Sequence, residues 1–173
     1  MFEDELDLAI SQIENTLDRE LAQRLRKPLC TVAVAESMTG GLLAERLTRI
    51  PGSSDYFLGG VVCYSPLLKV QLCQVAPATL RQFGTVSRET TLEMAKGIHK
   101  LTKCDLAVSI TGVAGPGLEN NEAKGTVFIG LHYANNTTVH KLDCEGTRLE
   151  IRERTTTAAM MLMKHCLTEQ KND

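Results

Sequence analysis

An α/β domain of three layers, with helices on both faces of a mixed and mostly parallel sheet, is the fold class this sequence predicts. Three observations predict it. Short β-branched apolar runs alternate with segments whose apolar residues recur at steps of three and four. Gly, Pro and Ser punctuate the chain between the two kinds of segment. One hairpin pattern stands late in the chain, the only break in the alternation. Alternation of this kind builds β-α-β units, whose crossover helices cover both faces of a sheet.

Leu6, Ile10, Ile13, Leu17, Leu21 and Leu25 mark one long amphipathic helix ahead of Lys27-Pro28. Leu29 to Ala35 reads as a buried strand, running into Glu36-Ser37-Met38-Thr39-Gly40-Gly41. A helix carrying Leu42, Leu43, Leu47 and Ile50 follows, stopped by Pro51-Gly52. Gly59 to Tyr64 is a second strand, and Ser65-Pro66 reads as an N-cap with proline in the first helical position, opening a helix that carries Lys69. Pro77 opens a short helix that ends at Gly84. Ser87 caps the next, with Leu92, Ala95, Ile98 and Leu101 on its apolar face. Asp105 to Thr111 is a third strand, followed by a Gly-rich loop from Gly112 to Gly125. Thr126 to Tyr133 and Thr137 to Asp143 form a hairpin turning at Asn135-Asn136. Gly146-Thr147 leads into a last helix carrying Arg148, Arg152, Ala159, Met160 and Met163. A single domain over residues 1–173 is expected, with flexible ends at 1–4 and 169–173.

Composition narrows the function. A chain of 173 residues with 43% apolar and 23% charged residues is an ordinary globular protein. Its net charge of −2 carries no footprint for nucleic acid. No run reaches the roughly 20 apolar residues of a membrane span. Six cysteines without a C-x-x-C pair predict reduced thiols and a cytoplasmic setting. Four histidines without ligand spacing predict neither a metal nor a cofactor.

Chemistry concentrates at three junctions, Ala35–Gly41, Ser53–Lys69 and Ile110–Gly125. Open α/β sheets collect ligands at the carboxyl ends of their strands. These junctions supply the hydroxyls of Ser37, Thr39, Ser54, Tyr64 and Thr111, the cation Lys69, and glycines that let backbone amides approach an anion. The G-x-S-x-G elbow fails because Ala35 and Thr39 stand where glycines are needed. The phosphate loop of nucleotide triphosphatases and the G-x-G-x-x-G fingerprint are also absent. No histidine lies in the junctions, so lysine is the better base for any nucleophile there. Plainer roles compete: Ser37 as a helix cap, Lys69 as a solvated helix lysine, Tyr64 as a half-buried strand end, Arg148 and Arg152 as a solvated basic face.

The run Ala-Glu-Ser-Met-Thr-Gly-Gly-Leu-Leu-Ala at 35–44, then Pro-Gly-Ser-Ser-Asp-Tyr-Phe-Leu-Gly-Gly-Val-Val-Cys-Tyr-Ser at 51–65 with Lys69, resembles the CinA C-terminal domain pattern. Gly84-Thr85-Val86-Ser87, the segment 109–116 and Gly125-Thr126-Val127 continue the resemblance in order. The resemblance implies a stand-alone domain that hydrolyses the carboxamide of nicotinamide mononucleotide (NMN), with a serine and a lysine in place of a triad. By position it implies Ser37 as nucleophile, Lys69 as base and Tyr64 beside them. Thr39, Gly40, Gly41, Ser54, Thr111, Gly112, Gly115 and Arg148 are then the substrate-binding residues, with the amides of Gly40 and Gly41 facing either an oxyanion or the substrate phosphate. A homo-oligomer is expected, taking a pyridine mononucleotide as its small-molecule partner. The chain departs from the family at Pro66-Leu67-Leu68, where Asn and Glu are common, and in the 117–124 loop. Those departures keep a second reading open, a binder of pyridine nucleotides without turnover.

Overall fold

In a computed structural model, residues 16–119 and 122–169 are described. Helix α1 spans 16–26, so Leu6, Ile10 and Ile13 lie outside the described residues, as do the ends expected to be flexible, except residue 169. There follow β1 (Val32–Glu36), α2 (Leu42–Thr48), a 3-10 turn (Ser53–Asp55), β2 (Phe57–Val62), α3 (Pro66–Cys73), α4 (Pro77–Phe83) and α5 (Arg88–Thr102). The chain continues through β3 (Leu106–Gly112), β4 (Thr126–Tyr133), β5 (Asn136–Asp143) and α6 (Arg148–Glu169).

The five strands form one mixed sheet in the order β2-β1-β3-β4-β5. β1 pairs in parallel with β2 and β3, while β4 runs antiparallel to both β3 and β5. β4 alone therefore opposes the other strands. Every residue of β1 and β3 is buried, as expected for central strands covered on both faces.

Alternation along the strands divides the core. Val32, Val34, Leu106, Val108, Ile110, Val127, Ile129 and Leu131 face α1, α2 and α6. The buried pair Arg46–Asp18, 2.6 Å apart, ties α2 to α1, and Arg46 also donates to Thr157 Oγ1 of α6 at 2.6 Å. Ala33, Ala35 and Ala107 line the opposite face under α3 and α5. These small side chains leave room for close helix packing. A Cβ at Gly97 of α5 would stand 1.6 Å from the Cys73 carbonyl oxygen at the end of α3. Gly97→Ala is therefore expected to cost about 3 kcal/mol or more, because backbone rather than a flexible side chain must yield. A urea midpoint within error of the parent chain's would contradict this close packing.

Both predicted side-chain caps form. Ser65 Oγ accepts from Leu68 N at 3.3 Å and Ser87 Oγ from Thr90 N at 3.2 Å. Three expectations are corrected. The first strand starts at Val32, because Leu29 is 60% exposed and only bridges back to Arg26. Leu101 is exposed, and α5 buries Met94, Ala95 and Ile98. The hairpin turns at Ala134-Asn135, whose φ of 48° and 62° suit a two-residue loop, while Asn136 already pairs with Tyr133.

Candidate active site

The three junctions meet at the carboxyl ends of β1, β2 and β3. Ser37 follows β1 directly, and its amide donates to Ile110 O of β3 at 3.0 Å. Cys63 follows β2, with its amide on Glu36 O at 2.8 Å, which extends the parallel ladder by one step. Capping by Ser65 and the preset φ of Pro66 start α3 at once, so Lys69 falls one turn inside the helix. Helical side chains lean toward the N-terminus, and that carries the amine back under β1 and β2.

Lys69 Nζ lies 2.9 Å from Ser37 Oγ and donates to Cys63 O at 2.9 Å. Lysine is rarely buried, yet Lys69 is only 1% exposed. Burial pushes the Lys69 ammonium below its ordinary 10.5, against smaller upward pulls from Cys63, Glu119 and Cys73. A solvated helix lysine is thereby overturned. A capping role for Ser37 falls too, since Gly41 is the N-cap of α2 and the amides at the helix start go to Glu36 rather than to Ser37.

Ser37 opens into a cleft, continuous with solvent, whose walls include Tyr64, Thr111, Gly112, Gly115, Glu119 and Arg148. Arg148, at the start of α6, donates to Tyr64 Oη at 2.7 Å and to Gly115 O at 2.6 Å. One guanidinium thus links the end of β2 to the Gly-rich loop. Thr111 Oγ1 donates to Thr85 O at 2.9 Å, and Thr85 Oγ1 to Glu119 Oε1 at 2.8 Å. Ser37, Lys69, Tyr64, Thr111, Gly112, Gly115 and Arg148 are therefore brought together.

Thr39, Gly40, Gly41 and Ser54 are not on the cleft wall. Gly40 N donates to Ser37 O at 3.0 Å. Glu36, 1% exposed, turns its carboxylate onto the start of α2: Oε2 accepts from Gly41 N at 3.0 Å and Leu43 N at 3.1 Å, and Oε1 from Ala44 N at 2.8 Å. The amides of Gly40 and Gly41 are thus occupied from within, which corrects their expected part in binding an oxyanion or phosphate. Ser54 sits exposed in the turn before β2, at the end of the sheet opposite the cleft.

Glu36, the Cys63 carbonyl and Glu119 escaped the sequence reading, and Arg152 entered it only beside Arg148 as a solvated basic face. Arg152 is no solvated face residue, because it donates to Met38 O at 3.1 Å and Thr39 O at 2.8 Å. Its one-turn spacing from Arg148 was the available signal. For Glu36 the signal was a carboxylate inside an apolar strand, a position that demands hydrogen bonds.

The family model described as the CinA C-terminal domain matches residues 14–167. A relative from Bacillus velezensis is 42% identical over 141 residues, which is 82% of this chain and 34% of that protein. A CinA-like protein of Thermotoga neapolitana is 39% identical over 158 residues, covering 91% of this chain and 38% of its own. The chain thus spans about a third of the length of these curated relatives. Among solved structures, a CinA superfamily protein from Klebsiella pneumoniae superposes with a TM-score of 0.87 at 28% identity, covering 90% of this chain and 98% of that one. The competence/damage inducible protein CihA from Agrobacterium tumefaciens does so with a TM-score of 0.84 at 34% identity, covering 89% and 94%.

Proposed function

Because this chain belongs to the CinA C-terminal domain family, we propose that it is an amidohydrolase converting NMN to nicotinic acid mononucleotide and ammonia, with Ser37 as nucleophile and Lys69 as base. One observation carries this reading: a lysine amine, buried and depressed in pKa, stands 2.9 Å from a serine hydroxyl at the floor of an open cleft. A serine hydroxyl attacks an amide only when a base takes its proton. Neutral Lys69 can donate one N–H to Cys63 O and keep its lone pair for the Ser37 hydroxyl. As Oγ bonds to the carboxamide carbon, that proton passes to Nζ. The new ammonium then protonates the leaving nitrogen, ammonia departs, and Lys69 next activates the water that hydrolyses the acyl-serine. Tyr64 and Arg148, hydrogen-bonded to each other on the cleft wall, would contact the nucleotide in this reading.

The departures at Pro66, Leu67 and Leu68 leave this pair in place. Pro66 occupies the first turn of α3, Leu67 is exposed, and Lys69 takes its contacts from Ser37 and Cys63.

Ammonia release from NMN by purified protein tests the proposal, with nicotinamide and its riboside as controls. Calorimetric binding of NMN without ammonia release would instead identify a non-catalytic binder. The pH profile has a defined sign. Lys69 works as a base only when neutral, so kcat should rise with pH and level off above its folded pKa, which lies below 10.5. A rate that falls over that rise would require an ammonium as the active form and contradict the assignment.

A further inference from the structure

The turn that carries Ser37 is gripped from two sides. Glu36 takes the amides of Gly41, Leu43 and Ala44, while Arg152 of α6 takes the carbonyls of Met38 and Thr39. Arg152 lies so close over the turn that a Cβ at Gly40, where φ is +61°, would stand 3.3 Å from its Nη2. Thr39 adds nothing to this grip through its hydroxyl, which is buried and has no hydrogen-bond partner among the described residues. The amides of Met38 and Thr39 likewise have none among the described residues. Peptide planarity makes these observations one mechanical statement. In a trans peptide the N–H points opposite to the C=O, so drawing Met38 O toward Arg152 aims Thr39 N–H away from it. Ser37 O accepts from Gly40 N and fixes Met38 N–H in the same manner. Met38 itself lines the cleft beside Ser37.

We propose that Arg152 is a positioning residue of the Ser37 site, holding the 37–41 turn so that the amide of Met38, which lines the cleft, faces the oxyanion formed when Ser37 attacks a carbonyl. The inference rests on the amidohydrolase reading for its reaction. It does not depend on NMN being the substrate. Donors fixed before the reaction stabilise the developing charge without reorganising, and an ångström of slack in them is costly in rate. Arg152 is not on the cleft wall, so its loss should appear in kcat and leave KM nearly alone.

The test compares Arg152→Ala, Arg152→Lys and Arg152→Gln with Arg154→Ala, a control on the same helix whose side chain donates to the Glu145 carbonyl. Two readouts are taken: ammonia release from NMN, and the rate at which an alkyl fluorophosphonate labels Ser37, followed by intact mass. In the second, the Ser37 Oγ–P bond forms, the P–F bond breaks, fluoride leaves and the serine proton passes to Lys69. Arg152→Ala should lower kcat and the labelling rate by about 100-fold, with KM changed less than about twofold. Arg152→Lys, able to hold one carbonyl, should recover about tenfold of that loss, and guanidinium in solution should partly rescue Arg152→Ala. Arg154→Ala should match the parent chain. If the alanine variant does not unfold cooperatively, the lysine and glutamine variants decide. A parent chain that is labelled at Ser37 but releases no ammonia from NMN would sink the substrate reading, while slower labelling of Arg152→Ala would still uphold the positioning role. Labelling within twofold of the parent chain in Arg152→Ala, an effect on KM alone, or a parent Ser37 inert to the phosphonate would each overturn it.

Discussion

Ser37→Ala is expected to lower kcat for ammonia release by about 1,000-fold or more, because it removes the hydroxyl that stands 2.9 Å from the Lys69 amine. Lys69→Met, close to lysine in volume but without the amine, should fall to a similar level. The two residues act as a unit, so the double variant should be little slower than either single one. Lys69→Arg should fail almost as badly, since a guanidinium stays charged and cannot take the serine proton. Burial makes this last variant the most sensitive to strain: the position is 1% exposed, and a larger charged group must displace its neighbours. Far-ultraviolet circular dichroism and urea unfolding should accompany the kinetics to separate lost chemistry from lost structure. Turnover that survives Ser37→Ala undiminished would exclude the Ser/Lys mechanism.

The second large effect is on stability. Glu36→Ala should cost about 3–5 kcal/mol, since it strips the partners from three backbone amides at the start of α2. Glu36→Gln should cost about half as much. Its amide oxygen can replace one carboxylate oxygen, but its NH₂ then faces an N–H that also needs an acceptor. Chemical denaturation measures both, and an unchanged m-value would show that the loss is in the native state's interactions. A Glu36→Ala midpoint indistinguishable from the parent chain's would mean that water satisfies these amides and that the carboxylate is dispensable.

The contrast between Glu36 and Ser65 shows how far the sequence could be read. Ser65-Pro66 was legible as a cap because its partner, the Leu68 amide, lies three residues ahead. Glu36 reaches amides five to eight residues on, across a glycine turn whose path no local rule specifies. Lys69 was read as a candidate base, but its environment was not readable. Whether a helical lysine faces water or the interior depends on which helix covers which face. The cleft likewise joins Tyr64 to Arg148 across 84 positions of chain. Ser54 stood in the matching motif and yet lies at the far end of the sheet, because motif order follows the chain while the cleft follows the strand ends.

By itself the sequence determined the alternation of strands and helices, the caps of α3 and α5, and the three junctions in which Ser37, Lys69 and Thr111 lie. Those properties rest on side-chain periodicity and on contacts within a few residues, which any chain carries in its order of residues. Tertiary structure alone decided that β1 sits between β2 and β3, that Lys69 loses its water and with it part of its affinity for a proton, and that Glu36 and Arg152 take hold of the serine turn from opposite sides. Desolvation and long-range hydrogen bonds depend on which surfaces meet, and here those surfaces come from segments as distant as β1 and α6.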